Sequence, residues 1–500
     1  MSSTVAGPDE VVRSAVPARI DRLPWSPFHT RMVIALGVAW VLDGLEITIA
    51  SVVGGSLTNT NTLNMSAAAV GATATVYLIG QVVGALVFGR MSDRLGRKNL
   101  FMITLGVYLV GSGLTAATAG SGPGWIAFLY ATRFIAGTGI GGEYAAINSA
   151  IDELIPARFR GRVDVAVNGT YWAGAVIATL VELLIYNQVA ANNPNLAWRV
   201  GFLLGPILAV VILFVRRNLP ESPRWLIMHG RAADAEKAVA EIEREVEKTG
   251  RTLPQVDESR TLEIKPVKRT GYFTLLRVLI RDYFPRSVLG LGLMITQSFL
   301  YNAIYFTYST VLKVFFKVPD AHIGWYGLAF AVGNLSGPLL LGHLFDTVGR
   351  KKMIAGTYLL SGVLLAVSAV LFRAGVFNAT TQTAAWVVIF FFASAGASAG
   401  YLTVSEIFPL EVRAQAIAVF FSIAQVVGAV APLFYGLLIN KDAPDRGMLF
   451  IGYMVGAAVM VIGGLIAAAL GVAAEGRSLE DIAKPLSVVR VPAAEAAEAD

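Results

Sequence analysis

Asp43 and Glu46 stand three residues apart inside an apolar run over residues 32–53, and Arg133 stands inside another over residues 125–147. A charge in hydrocarbon costs a few kcal/mol on insertion scales, so such a group is paired, protonated or open to a cavity. At this spacing the two carboxylates share a helix face, roughly 4.5 Å apart along the axis. Arg133 lies eight residues in from Trp125 on a helix of opposite direction, or roughly 12 Å deep at 1.5 Å per residue, which is close to the depth of Glu46. An Asp43/Glu46 to Arg133 cluster facing a central cavity is therefore expected, in which protonation of a carboxylate releases the arginine and so couples a proton to movement. A static ion pair that only fixes packing is the competing reading. Glu143 follows Gly137, Gly139, Gly141 and Gly142 on Arg133's run, where small residues permit close packing. It is either a second proton or substrate contact or a satisfied structural glutamate.

The elements that must position these groups are membrane helices. The chain of 500 residues is 55% hydrophobic and 15% charged, with a mean hydropathy of +0.63, too apolar for a fully hydrated surface. Besides the two runs above and a third over residues 448–472, others centre on Tyr77, Gly106, Gly174, Ile207, Ser298, Ala331, Leu364, Phe391 and Val426. Each approaches or exceeds the roughly 20 residues a helix needs to cross a bilayer. Lipid offers the backbone no hydrogen bonds, which makes the helix the expected state and the class all-α, a polytopic membrane protein.

Arg90, Arg94, Arg97 and Lys98 follow the second run, Arg158, Arg160 and Arg162 the fourth, and Arg350, Lys351 and Lys352 the eighth. Lys and Arg are retained on the cytoplasmic side, so both termini are expected there, and the net charge of +6 needs no nucleic-acid partner. Residues 1–30 carry Arg13, Arg19 and Arg22 among prolines, without the apolar core of a signal peptide, and read as a disordered cytoplasmic tail. There is no cysteine, which excludes disulfides and thiolate metal sites. The histidines, His29, His229, His322 and His343, fall in no ligand cluster, and nucleotide loops and nucleophile elbows are absent from the sequence, so no metal, cofactor or enzyme activity is expected.

A long internal repeat divides the membrane region. Gly89, Asp93, Gly96, Arg97 and Lys98 recur as Gly342, Asp346, Gly349, Arg350 and Lys351, and Glu153, Pro156 and Arg160 recur as Glu406, Pro409 and Arg413, always 253 residues on. Two copies of G-x-x-x-D-x-x-G-R-K, each followed at one distance by E-x-x-P-x-x-x-R, resemble the major facilitator superfamily. The resemblance implies twelve transmembrane helices as two pseudo-symmetric six-helix halves, with a substrate site between them near the midplane and alternating access by rocking. It makes Gly89, Asp93, Arg97, Glu153, Arg160, Gly342, Asp346, Arg350, Glu406 and Arg413 a cytoplasmic gate, whose ion pairs break when that side opens. Enforcement of topology alone is the competing role.

Between the halves runs a polar stretch opening with Pro220-Glu-Ser-Pro-Arg-Trp-Leu226, then a helix from about Ala232 to Lys248 with an apolar stripe of Val239, Ile242 and Val246. It reads as a latch resting on other cytoplasmic helices. The opening segment, Ser405-Glu-Ile-Phe-Pro409 and Gly476-Arg-Ser-Leu-Glu-Asp-Ile482 are similar to sugar-porter signatures. That resemblance implies substrate contacts by Gln297 and Asn302. Tyr401 stands where sugar porters usually carry a tryptophan, and Asn168, Tyr171 and Trp172 replace their glutamine-rich stripe. Asp43-Gly-Leu-Glu46 is instead similar to the D-G-x-D motif of aromatic-acid and other organic-acid proton symporters. Tyr301, Tyr305 and Tyr308 share a face of the seventh helix.

The expected organisation is an N-terminal tail (1–30), a first half (31–216), a cytoplasmic linker (217–285), a second half (286–473) and a cytoplasmic tail (474–500). The expected function is secondary active transport at the cell membrane by a monomer, as proton-coupled symport of a small organic solute, a carboxylate in preference to a sugar. The substrate contacts are Asn168, Trp172, Gln297, Tyr301, Asn302, Tyr305 and Tyr401. A proton-coupled efflux antiporter and a non-transporting receptor of the same fold are the alternatives.

Overall fold

The computed structural model describes residues 12–216, 220–256, 261–264, 272–305, 307–439 and 444–490. The first half holds α1 (Pro27–Leu57), α2 (Ala67–Leu95), α3 (Arg97–Ala116), α4 (Pro123–Leu154), α5 (Ala157–Gly169, continued by Tyr171–Val181) and α6 (Pro194–Arg216). The second holds α7 (Phe284–Tyr305), α8 (Asp320–Leu341), α9 (Arg350–Arg373), α10 (Ala379–Ile407), α11 (Arg413–Gly428, continued by Val430–Leu438) and α12 (Arg446–Leu470). Among the described residues ten helices are long and apolar enough to cross a bilayer. The remaining two are α4, which carries Arg133, Glu143, Asp152 and Glu153, and α11, interrupted at Ala429. Each of the twelve apolar runs of the sequence maps onto one of these helices.

Helix pairing repeats between the halves. α1 packs on α5 as α7 packs on α11, α3 on α6 as α9 on α12, and α2 on α4 as α8 on α10. The halves meet through α2 against α11 and α5 against α8, each pair the image of the other. Side chains such as Ile207, Val211 and Phe214 of α6 are 57–63% exposed, as residues facing acyl chains must be. The glycines of the repeated motif sit where α2 passes into α3 and α8 into α9, with φ of 85° at Gly96 and 109° at Gly349. A side chain is strained in that backbone region. The turn places Arg97 and Arg350 at the first position of the next helix.

On the face that carries the termini, the tail is not disordered from Val12 onward. Residues Val16–Asp21 form a helix against the latch Ala232–Glu247, which buries Ala235, Val239, Ile242 and Val246. The reason is a distant partner: Arg19 Nη2 and Arg22 Nη2 reach Glu243 Oε2 and Oε1 at 2.5 and 2.6 Å. Burial alone would raise the Glu243 carboxyl, but the two guanidiniums outweigh it and hold it below its usual range. A small antiparallel sheet also departs from the all-helical expectation. Its strands are β1 (Val12–Ser14), β2 (Leu262–Ile264) and β3 (Val488–Arg490), in that order, and Glu263 is registered with Arg13 on one side and Arg490 on the other. The Arg13–Glu263 pair, Nε to Oε1 at 3.6 Å, favours the register of β1 on β2.

Charge-assisted hydrogen bonds are worth about 1.5–3 kcal/mol each, so E243Q is expected to speed amide hydrogen exchange in Val16–Asp21 about tenfold or more at neutral pH. Because the folded carboxyl is depressed, its contribution is present above the ordinary carboxylate range and lost as pH falls through the folded value. The wild-type segment therefore loosens toward acid and E243Q does not; unchanged exchange in E243Q refutes the docking role.

Candidate functional site

A cavity of about 150 Å³ lies between the halves, smaller than the roughly 300–1,000 Å³ clefts that hold drug-sized ligands. α1, α2, α4 and α5 line it from the first half, and α7, α10 and α11 from the second. Gln297, Tyr301 and Tyr305 recur every fourth residue and so present one face of α7 to it, with Asn302 beside them. Asn168 and Trp172 do the same from α5, and Tyr401 from α10. All seven residues expected to contact substrate thus line the cavity, two from the first half and five from the second.

Aromatic contacts between the halves bracket this space. Toward the termini, the ring centroids of Trp40 and Tyr401 are 5.2 Å apart and those of Tyr144 and Phe421 4.7 Å. Toward the opposite face, Trp172 packs on Tyr305 at 5.2 Å, and the Tyr305 hydroxyl meets Thr48 Oγ1 at 3.2 Å. Rings stacked or edge-on add about 0.5–1.5 kcal/mol beyond area burial, enough to hold a layer yet small enough to break in a cycle.

Asp43 lines the cavity and is buried. Its Oδ1 accepts from Gln81 Nε2 at 2.7 Å and Tyr77 OH at 3.2 Å, and Oδ2 accepts from Tyr144 OH. Gly44 follows because the Tyr171 carbonyl lies where a Cβ would be, which brings α1 against α5. Glu46 does not face the cavity, contrary to expectation. It turns between α3 and α6, accepting from Tyr108 OH at 2.8 Å, Ser112 Oγ at 3.3 Å and Arg133 Nη1. Three residues advance a helix by about 300°, so the two carboxylates diverge by about 60°, enough to meet different neighbours. Arg133 therefore pairs with Glu46 alone and lies with Tyr77's ring 4.3 Å from its guanidinium carbon, so Tyr77 stands between the pair and Asp43. Glu143 is likewise no cavity contact. It binds Arg216 Nη1 at 2.9 Å and Thr104 Oγ1 at 3.3 Å inside the first half, and Arg216 also donates to the Ala35 carbonyl.

The repeated charges close the face that carries the termini. Arg97 Nη2 meets Glu153 Oε1 at 2.8 Å, and Arg350 holds Glu406 through two bonds of 3.1 Å and Asp346 Oδ1 at 2.8 Å. Bonds then cross between the halves: Asp346 accepts from the Gly161 and Arg162 amides at 3.0 and 2.8 Å, and Arg160 Nη1 lies 3.5 Å from Glu406 Oε1. Gly342 ends α8 beside the backbone of Arg162. Gly89 is buried within α2, and the Asp93 side chain lies outside the described residues. Arg413, mate of Arg160 in the repeat, is buried and gives one N–H to the Phe408 carbonyl at 3.2 Å, with no described bond to the first half.

Sequence reasoning missed several partners. Tyr77, Gln81 and Tyr144 are polar groups at helical spacing from apolar neighbours, a signal open to reading. Glu221 and Glu475 cap the helices that follow the repeated glycines, taking the Arg97 amide at 2.8 Å and the Arg350 amide at 3.1 Å. A carboxylate there suits the positive end of a helix dipole. Their offset is one residue longer than the repeat, which hid the match.

The sequence profile described as "Sugar (and other) transporter" matches residues 46–485. The chain belongs to that family. It is 26% identical to the niacin transporter NiaP of Acinetobacter baylyi over 470 residues, covering 93% of this chain and 99% of the relative. It is also 26% identical to the putative metabolite transport protein YdjK of Escherichia coli, covering 95% and 98%. Its fold is similar to the proton:xylose symporter XylE bound to 6-bromo-6-deoxy-D-glucose, a major facilitator superfamily protein, with a TM-score of 0.75 at 19% identity, covering 91% of this chain and 98% of that one. The protein is thus a multi-pass membrane transporter of this family, built as two six-helix halves, and not an enzyme.

The Glu46–Arg133 pair makes a stability prediction. Removing one partner of a buried pair leaves an unpaired charge at a cost of about 3–5 kcal/mol, whereas apolar replacement of both is near neutral or stabilising. R133M alone should lower the thermal midpoint in detergent strongly, and adding E46L should restore most of it. If the double variant is no more stable than R133M, the pair is not the element that fixes α1 against α4.

Proposed function

We propose that this family member is a proton-coupled symporter of a small aromatic carboxylate, about the size of nicotinate. The observation that carries the reading is that Asp43 is the one charged side chain lining the cavity among the described residues, and that tyrosine hydroxyls and an amide hold it rather than a cation. In a low-dielectric cavity an ionised Asp43 repels a second carboxylate. Once Asp43 carries a proton, the amides of Asn168, Gln297, Asn302 and Gln425 can hold the anion and the rings of Trp172 and Tyr301 can flank it. Anion and proton then enter together, and neither is favoured alone. Arg133 faces away from the cavity, so a carboxylate is favoured here by mutual exclusion of like charges with Asp43 rather than by an arginine. The niacin transporter among the relatives supports the class, niacin being a pyridine carboxylate.

The amides of α7 and the ring-lined walls also suit the hydroxyls of a sugar, which is the second reading. In either case the face carrying the termini and the basic loops is assigned to the cytoplasm of a plasma membrane. The closed contacts of Asp346 and Glu406 with α5 then mark an inner gate, and alternating access consists of breaking them while the outer aromatic layer tightens.

In proteoliposomes, an acid-outside gradient should drive accumulation of labelled nicotinate, and D43N should lose that accumulation while nicotinate counterflow continues. Gradient-driven uptake by D43N equal to wild type removes the coupling role. Competition of nicotinate counterflow by uncharged sugars but not by other aromatic acids decides for the sugar reading. Net extrusion of nicotinate against its gradient decides for efflux.

A further inference from the structure

Between the cavity and the inner gate, α5 carries another carboxylate that the scheme above does not use, Asp164. Its side chain is fully buried. Oδ1 accepts from Asn168 Nδ2 at 2.5 Å, and Oδ2 has no hydrogen-bond partner. The same Asn168 amide donates to Asn148 Oδ1 at 2.9 Å, and Asn168 lines the cavity. Asp164 therefore lies one helical turn, roughly 6 Å, below the cavity wall. The charged groups facing it are Asp152 from α4, Glu406 from α10 and Arg350 from α9, with Arg160 one turn earlier on its own helix. Both arginines are already engaged, Arg350 by Glu406 and Asp346, and Arg160 by Glu406. Asp152 adds a second buried acid, 3.8 Å from Arg160 Nε and beside Ser405.

Ionised Asp164 in that setting would have neither water nor a cation of its own, a penalty of several kcal/mol even after relaxation. The neutral acid avoids it. We propose that Asp164 is a proton-binding site of the inner gate, holding a proton while the halves are joined on the side of the termini and losing it to water when they part. Parting withdraws Asp346 and Glu406 from α5 and lets water in, so the carboxylate is hydrated only in the open form. The O–H bond breaks there and the proton leaves as hydronium on the cytoplasmic side. Acid on that side therefore favours the closed form and alkali the open one. The inference rests on the alternating-access reading above, but on neither the identity of the solute nor the role of Asp43.

The chain contains no cysteine, so one introduced thiol reports cleanly. Ser405 is buried one turn past Tyr401 on α10, toward the termini, and is covered while the gate is closed. In D43N/S405C, where Asp43 no longer titrates, maleimide labelling normalised to the unfolded chain at each pH should rise with pH. For one linked proton the rise is up to about tenfold per unit. Adding D164N, which mimics the protonated acid, should leave labelling low and flat. Asp164→Glu keeps a titratable group and should retain the rise with a displaced midpoint, which serves if the asparagine variant does not fold. Equal pH dependence with and without D164N, an unmoved midpoint in Asp164→Glu, or a flat profile in D43N/S405C overturns the proposal. Failure of the Asp43 coupling role is read separately from nicotinate uptake and leaves these profiles unchanged.

Discussion

Charge placed away from water has to be answered, and in this protein the answers sort its ionisable groups by role. Arg97 with Glu153, Arg350 with Glu406, Arg133 with Glu46 and Arg216 with Glu143 are each matched within hydrogen-bond reach. Lipid exerts little hydrophobic force between helices, so such pairs and close small-residue packing carry much of the specificity by which one helix chooses another. Asp43 and Asp164 differ from this pattern: both are buried, both are held by neutral donors, and neither has an ion-pair partner among the described residues. On the proposed scheme, it is these two groups whose protonation changes without dismantling the bundle.

The arrangement also links the cavity to the gate through few elements. α5 supplies Asn168 and Trp172 to the cavity, Asp164 one turn below, and the Gly161 and Arg162 amides to Asp346 at its start. α10 likewise runs from Ser394 and Tyr401 at the cavity to Glu406 at the gate. In the proposed cycle, a solute that draws the two walls together acts on the same helices whose ends carry the inter-half bonds. The proposed rocking of the two halves would need no longer chain of communication than that.

Much of this was open to reading in the residues themselves. The runs of apolar residues placed all twelve helices, and the repeat located the ion pairs Arg97–Glu153 and Arg350–Glu406 because they and the positive-φ glycines had kept one offset in both halves. Of the three tyrosines expected on one face of α7, Tyr301 and Tyr305 line the cavity, whereas Tyr308 lies beyond the helix end and outside the lining, because the helix breaks after Tyr305. What failed was the direction of groups near the edge of a face. Asp43 and Glu46 differ by about 60° of helix rotation, and only the positions of α3 and α6 decide that Glu46 turns away. Glu143 was ambiguous for the same reason, since Arg216 lies far along the chain. The N-terminal tail was misread because its order comes from Glu243, a partner that local composition does not reveal.

The three-stranded sheet has a bearing on how the molecule is made. β1 precedes the first half, β2 lies between the halves and β3 follows the second, so the sheet joins segments separated in synthesis by both halves. Contacts of such long sequence separation form late, after loop closure has been met by other interactions. Each half can reach the membrane and pack before the sheet exists, and β3 can pair only after both halves have been made. Its closure thus waits on both halves, and the sheet reports that the segments flanking and joining them have come together.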